Sequence, residues 1–262
     1  MSKKFICDYK VTGKGIPLFL IHGIGSNKKT WKELIINLSK FFTVISYDLR
    51  GHGNSYVSKS NFKMNDLIQD LENLRNHLKI KHGYFAGHSL GGMIAPIYSL
   101  KFPKRVLKIG MLSTVAGRTI EDKKKINNII NQMEKNGIKN SLEKLTNRWF
   151  TDRFIKNKNY LVKKRLLQVL NTDPKVFLNV FKIYANTEMF SLLKKINHQT
   201  ILITGENDLG CSPKHNIKMA KQIKDSQLVI LPKLKHSILI ESPEKVSKLM
   251  IDFFKWIRFK YI

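Results

Sequence analysis

Acidic residues are scarce in this chain: 19 Asp and Glu stand against 47 Lys and Arg in 262 residues, a formal net charge of +28 at pH 7. Such a balance fits nucleic acid, an anionic membrane surface or an acidic protein as partner. Zinc-finger spacing, an RNP signature and a basic heptad array are all lacking, so nucleic acid is not expected. Lysine is spread along nearly every helical stretch, with abundant Ile and Asn, as in the usage of an AT-rich genome. Cysteine is scarcer still. Cys7 and Cys211 are too few and too far apart for a disulfide framework, and no metal-ligand spacing is visible, so no metal is expected. Free thiols suit a reducing compartment, with Cys211 a small packing residue. Long apolar runs are missing too. None reaches the roughly 20 residues that span a bilayer, and Asp8 and Lys10 interrupt the first apolar stretch before it could form a secretory core. The expectation is a cytoplasmic protein of one domain with a sizeable core, without repeats or low-complexity linkers.

What is present is alternation. Strands are predicted at 5–11, 17–21, 43–47, 83–88, 106–112, 199–204 and 227–231, and helices at 30–39, 65–79, 90–101, 213–223 and 242–257. From about Thr119 to Lys195 the pattern is helical without a strand, with turns at Asn136-Gly137 and Asp173-Pro174. This predicts an α/β core at 1–117 and 196–262, with residues 118–195 as a helical lid.

The residues that carry chemistry lie at strand ends. Gly87-His88-Ser89-Leu90-Gly91 sets a serine between two glycines, after an apolar run and before a helical pattern. That is a nucleophile elbow, in which the tight turn strains the serine backbone and exposes its oxygen. A serine hydroxyl needs a base, and the base needs a carboxylate to orient it. Asp208 follows the strand 199–204, and His236 follows the strand 227–231. Alone, an Asp after a strand is more often a turn former and a loop His more often solvated. The joint order Ser, Asp, His at strand ends decides for a triad. Glu206 is the competing acid. Oxyanion donors are expected from the backbone N–H of Leu90 and, in the glycine-flanked loop His22-Gly23-Ile24-Gly25, of Ile24. His22 reads as a bridge between backbone groups beneath that loop.

These motifs, together with Asp48-Leu49-Arg50-Gly51-His52-Gly53-Asn54-Ser55 and Lys235-His236-Ser237, resemble the α/β-hydrolase superfamily over essentially the whole chain. The resemblance implies a mostly parallel sheet flanked by helices, with the helical lid inserted after the sixth strand. It implies that Asp48 and Arg50 brace loops and that His52 borders the pocket without a catalytic role. Ser89-Leu90-Gly91-Gly92-Met93-Ile94-Ala95 and Phe102-Pro103-Lys104-Arg105-Val106 are most similar to the group of 3-oxoadipate enol-lactonases, small carboxylesterases and C–C hydrolases. One departure is an extra residue between Asp208 and Pro213, which reshapes the acid loop. Relatives that use aspartate at the elbow, the haloalkane dehalogenases and epoxide hydrolases, are argued against by Ser89.

Residues 118–195 carry 18 Lys and Arg against 7 Asp and Glu. That excess reads as a solvated basic face, or as an attraction for an anionic substrate or an acidic acyl carrier protein. Trp149, Phe150, Phe154 and Phe181 are the candidate substrate-binding residues, with Phe177, Tyr184 and Met189 beside them, most of these seven serving as the lid's own core. The expected activity is hydrolysis of a carboxylic ester of a small or medium acyl substrate, without a cofactor. Alternatives are an enol-lactone or C–C bond hydrolase, an acyl-carrier-linked ester hydrolase similar to the pimeloyl methyl ester esterases, and a non-catalytic ligand receptor of the same fold.

Overall fold

The computed structural model describes residues 7–55 and 61–256. Seven strands form one sheet: β1 (Tyr9–Thr12), β2 (Ile16–Ile21), β3 (Phe42–Tyr47), β4 (Gly83–His88), β5 (Val106–Leu112), β6 (Gln199–Gly205) and β7 (Ser226–Leu231). Their order is β1-β3-β2-β4-β5-β6-β7, with β1 antiparallel to β3 and every other pair parallel. The strands begin and end within a residue or two of the predicted bounds, apart from the first: residues 5 and 6 lie outside the described residues, and Cys7 and Asp8 precede the strand rather than belonging to it.

The central strands carry apolar residues on both faces because helices cover both faces of the sheet. In β2, Phe19 and Ile21 join one fully buried cluster with Phe85, Met93 and Tyr98, whereas Leu18 and Leu20 join another with Trp31, Ile201 and Phe254. Alternate side chains thus feed two cores. The flanking helices are α1 (Lys32–Leu38), α2 (Met64–His77) and α3 (Gly91–Lys101) in the first half. The predicted helix 30–39 divides into a 3-10 turn, Lys28–Trp31, capped by the Asn27 side chain, and α1.

Six helices lie between β5 and β6: α4 (Ile120–Asn136), α5 (Ile138–Trp149), α6 (Asp152–Asn157), α7 (Asn159–Leu170), α8 (Pro174–Asn186) and α9 (Phe190–Leu193). Local chemistry sets their ends. Thr119 and Asp122 form a reciprocal capping box at the start of α4, the Asp173 side chain accepts from the N–H groups of Lys175 and Val176 at the start of α8, and Gly137, at φ +79°, separates α4 from α5. These helices share a third core containing Ile130, Leu142, Leu145, Phe177 and Phe181. Among the described residues the block follows the fifth strand, not the sixth, because the run 5–11 supplies a single described strand and residues 1–6 lie outside the described set. The chain closes with α10 (Pro213–Gln222), α11 (Ile238–Glu241) and α12 (Pro243–Lys255); residue 257, at the end of the predicted last helix, lies outside the described residues. Among the described residues no helix is long and apolar enough to cross a membrane.

Candidate active site

Parallel pairing brings the carboxyl ends of β2, β4, β6 and β7 to one edge of the sheet. Ser89 leaves β4 at φ +56°, in the left-handed region that a residue with a Cβ enters only at a cost of about 1–2 kcal/mol. Surrounding contacts hold it there. Its N–H donates to the Leu112 carbonyl at 2.8 Å, and its own carbonyl accepts from Thr114 Oγ1 at 2.8 Å. The turn closes only with glycine at position 87, where a Cβ would fall 1.9 Å from the Gly91 carbonyl oxygen. A Cβ placed on Gly23 would sit 3.0 Å from Ser89 Cβ, so the loop after β2 lies directly against the serine.

His236 and Asp208 meet across the ends of β6 and β7. His236 Nδ1–H donates to Asp208 Oδ2 at 2.7 Å, which leaves Nε2 as the free ring nitrogen. The other carboxylate oxygen accepts from the N–H groups of Gly210 at 3.0 Å and Cys211 at 2.9 Å. The lengthened acid loop therefore folds around Asp208. Burial raises the Asp208 pKa, but the His236 charge and these hydrogen bonds outweigh it and hold the carboxyl below its ordinary range. For His236 burial opposes the charge, and the Asp208 carboxylate overcomes burial, so the pKa is raised. Glu206 is exposed and accepts from Lys233 N–H instead. Asp208, Cys211 and His236 place one potential metal-ligand atom each within 4.8 Å. The carboxylate oxygens are already engaged by His236 and two backbone N–H groups, which leaves no converging set of free donors.

The loop after β2 is braced by two neutral histidines. Leu49 N–H donates to His22 Nε2 at 2.9 Å, so His22 Nδ1 carries the proton and donates to the Gly23 carbonyl at 2.7 Å. Gly25 N–H donates to His52 Nε2 at 3.1 Å, and His52 Nδ1–H donates to the Arg50 carbonyl. Burial keeps both rings uncharged, the pKa of His52 falling to about 4. His52 is fully buried under the loop rather than on the cavity border as the resemblance implied, because its ring is consumed by two backbone bonds. Among the described residues the N–H groups of Ile24 and Leu90 have no hydrogen-bond partner. Asp48 accepts from Lys28 and Asn54, and Arg50 pairs with Asp70, as loop braces.

Ser89, His236 and Asp208 line one cavity of about 160 Å³, together with residues of α4, α5, α7 and α8. Its apolar wall includes Ile24, Leu145, Trp149, Phe177 and Phe181. Of the four candidate substrate-binding residues, Trp149 and Phe181 reach the cavity. Phe150 and Phe154 do not: Phe150 is fully buried, and their rings stack on each other at 5.5 Å behind the wall. Met189 also lies away from it, while Tyr184 joins it.

Sequence reading missed two groups. His88, half-buried on the cavity wall, donates from Nε2 to the His236 carbonyl at 3.0 Å and so fixes the backbone of that residue; desolvation first, then the His236 charge, pushes its pKa down to about 3. Its place inside the elbow motif was the available signal. Arg118, Arg148 and Arg165 also line the cavity, and among the described residues none has a carboxylate within ion-pair distance. Nothing in the sequence distinguishes these from the other cations.

The family model of the alpha/beta hydrolase fold matches residues 16–243. The chain belongs to the α/β-hydrolase fold family. This α/β-hydrolase is 25% identical over 237 residues to 3-oxoadipate enol-lactonase 1 of Acinetobacter baylyi, covering 90% of this chain and 88% of that protein. It is 24% identical over 253 residues to (E)-2-((N-methylformamido)methylene)succinate hydrolase of the same organism, covering 95% and 94%. Among solved structures, a thermophilic esterase from Thermogutta terrifontis superposes with a TM-score of 0.86 at 25% identity, over 95% of this chain and 92% of that one. The chain is a hydrolase of this superfamily.

Proposed function

We propose that this hydrolase cleaves a carboxylic ester of a small or medium acyl substrate through an acyl-enzyme on Ser89. The observation that carries the reading is the strained Ser89 in the same cavity as a His236–Asp208 pair whose free nitrogen is Nε2. In the reaction, Ser89 Oγ attacks the carbonyl carbon and passes its proton to His236 Nε2, while the carbonyl electron pair becomes an oxyanion bound by the Ile24 and Leu90 N–H groups. Collapse of the tetrahedral intermediate expels the alcohol, which leaves with the proton from His236. Water, deprotonated by His236, then attacks the acyl-enzyme, and its proton returns to Ser89 as the acid departs.

A cavity of about 160 Å³ is close to one that admits a single benzene ring, which favours a short acyl group. Residues 118–195 act in this reading as a lid over the core formed by 1–117 and 196–262. An enol-lactone substrate is the second reading, favoured by the named activity of the Acinetobacter relative and by the three cavity arginines, which have no ion-pair partner among the described residues. An acidic acyl carrier protein as substrate donor would instead need the basic lid surface. A cytoplasmic site of action suits the two buried free cysteines.

The test is labelling with a fluorophosphonate beside turnover of p-nitrophenyl esters of increasing acyl length and of one enol-lactone. Wild type should label and turn over, and Ser89→Ala should do neither while keeping its circular-dichroism spectrum. Absence of both in wild type would remove the serine-hydrolase reading and leave a ligand receptor or a carrier-dependent enzyme.

A further inference from the structure

Side chains hold all three carbonyls and one N–H of the stretch from Gly23 to Gly25. His22 donates to the Gly23 carbonyl, and His52 accepts from the Gly25 N–H. The carbonyls of Ile24 and Gly25 both accept from Arg165, through Nη2 at 2.9 Å and through Nη1. The Ile24 N–H is left without a partner among the described residues, beside the cavity. His22 and His52 come from the core, whereas Arg165 comes from α7 of the helical block.

Arg165 is an unusual choice for a brace. Its guanidinium lies 4.9 Å from the centre of the Trp149 ring and lines the cavity, and among the described residues no carboxylate neutralises it. A half-buried cation without a carboxylate partner is costly to keep, so its retention calls for a compensating role. Two features of arginine fit the position. Its planar fork reaches two adjacent carbonyls at once, which an ammonium cannot do with fixed geometry. Its positive charge, held on the carbonyl of the same residue whose N–H faces the cavity, favours negative charge developing at that site. The loop is also packed from the same side. Gly25 is at φ +56°, and a Cβ there would fall 2.6 Å from the Phe177 ring of α8.

We infer that Arg165 is a positioning residue that clamps the oxyanion loop from the lid side, so that seating of the helical block and readiness of the Ile24 N–H are one event. This rests on the serine-hydrolase reading above. Arg165 acts through Ile24: the lid does not merely cover the substrate but completes the geometry of the donor that stabilises the transition state. Because Arg165 has no ion-pair partner among the described residues, replacing it strands no described carboxylate, and the variants should fold.

The experiment compares wild type, Arg165→Gln and Arg165→Lys on a neutral p-nitrophenyl ester and on the same ester carrying a terminal carboxylate. Amide hydrogen exchange across residues 22–26 is measured alongside. The expected result is a fall in kcat of about 10- to 100-fold on both esters with KM within about threefold. Arg165→Lys should not rescue kcat, since charge without the fork leaves one carbonyl free, and exchange of the loop amides should quicken in both variants. Full activity in Arg165→Lys would overturn the inference. So would a defect confined to KM of the carboxylated ester, which would make Arg165 a binder of substrate anions, or unchanged exchange. An inactive, unlabelled wild type would instead strike the serine-hydrolase reading, and the exchange measurement still decides whether Arg165 clamps the loop.

Discussion

Asp208 and Glu206 lie two residues apart, yet their side chains have opposite fates. Asp208 is fastened by His236 and two backbone N–H groups, whereas Glu206 faces solvent and the Lys233 amide. Asp208→Asn should therefore cut kcat by about 10³- to 10⁴-fold, and Glu206→Gln should leave steady-state kinetics near wild type. The pH profile gives the sign. The base form of His236 is neutral, and Asp208 raises its pKa, so the acidic limb of kcat/KM should have its midpoint above the ordinary histidine value of about 6.5. Residual activity of Asp208→Asn should rise at lower pH than that of wild type, because the carboxylate that stabilised the imidazolium is gone. A shift in the other direction would contradict the assignment. Strain is testable at the same edge: Gly87→Ala must push against a carbonyl 1.9 Å away and should lower stability by about 2–4 kcal/mol in urea unfolding. That Ser89, Asp208 and His236 come to one cavity was legible in the sequence because glycine spacing and strand ends mark them. Arg165 was not, because one cation among 47 Lys and Arg gains meaning only when α7 is folded over the loop.

At the scale of elements, hydrophobic runs bounded by turns were sufficient to place the strands, and the break in alternation located the helical block. Facing was harder. Trp149, Phe150 and Phe154 are close in sequence, and only the packing of α5 and α6 decides that Trp149 meets the cavity while the other two rings stack behind it. Periodicity reveals an apolar stripe but not which neighbour covers it. In α12 the stripe ends at Phe254, fully buried and stacked at 5.0 Å on Tyr84 of β4. Phe254→Ala should cost about 3–5 kcal/mol, since β4 and its neighbours leave little freedom to collapse into the void. Thermal or urea unfolding checks the value. A loss below about 1 kcal/mol would mean that α12 is not a principal support of the sheet.

For the whole molecule the formal charge of +28 acts at long range. With the Debye length near 10 Å at 0.1 M salt, a basic surface steers anions only when ionic strength is low. The kcat/KM for a carboxylated ester should therefore fall as salt rises from 0.01 to about 0.2 M, while that for its neutral counterpart stays level. Equal salt dependence for both would assign the effect to the protein rather than to attraction. Charge reversal at Lys123, Lys124 and Lys125 of α4 adds a second measure: unchanged turnover of acyl groups presented on an acidic carrier would set that partner aside.

The three tryptophans occupy three different surroundings. Trp31 is fully buried in the core, Trp256 is 65% exposed, and Trp149 lies half-buried on the cavity wall with Arg165 over its face. Replacing Trp31 and Trp256 with phenylalanine would leave Trp149, on the wall of the chamber, as the single tryptophan. Its emission would report, turn by turn and without an added dye, whether the chamber is wet, filled or closed.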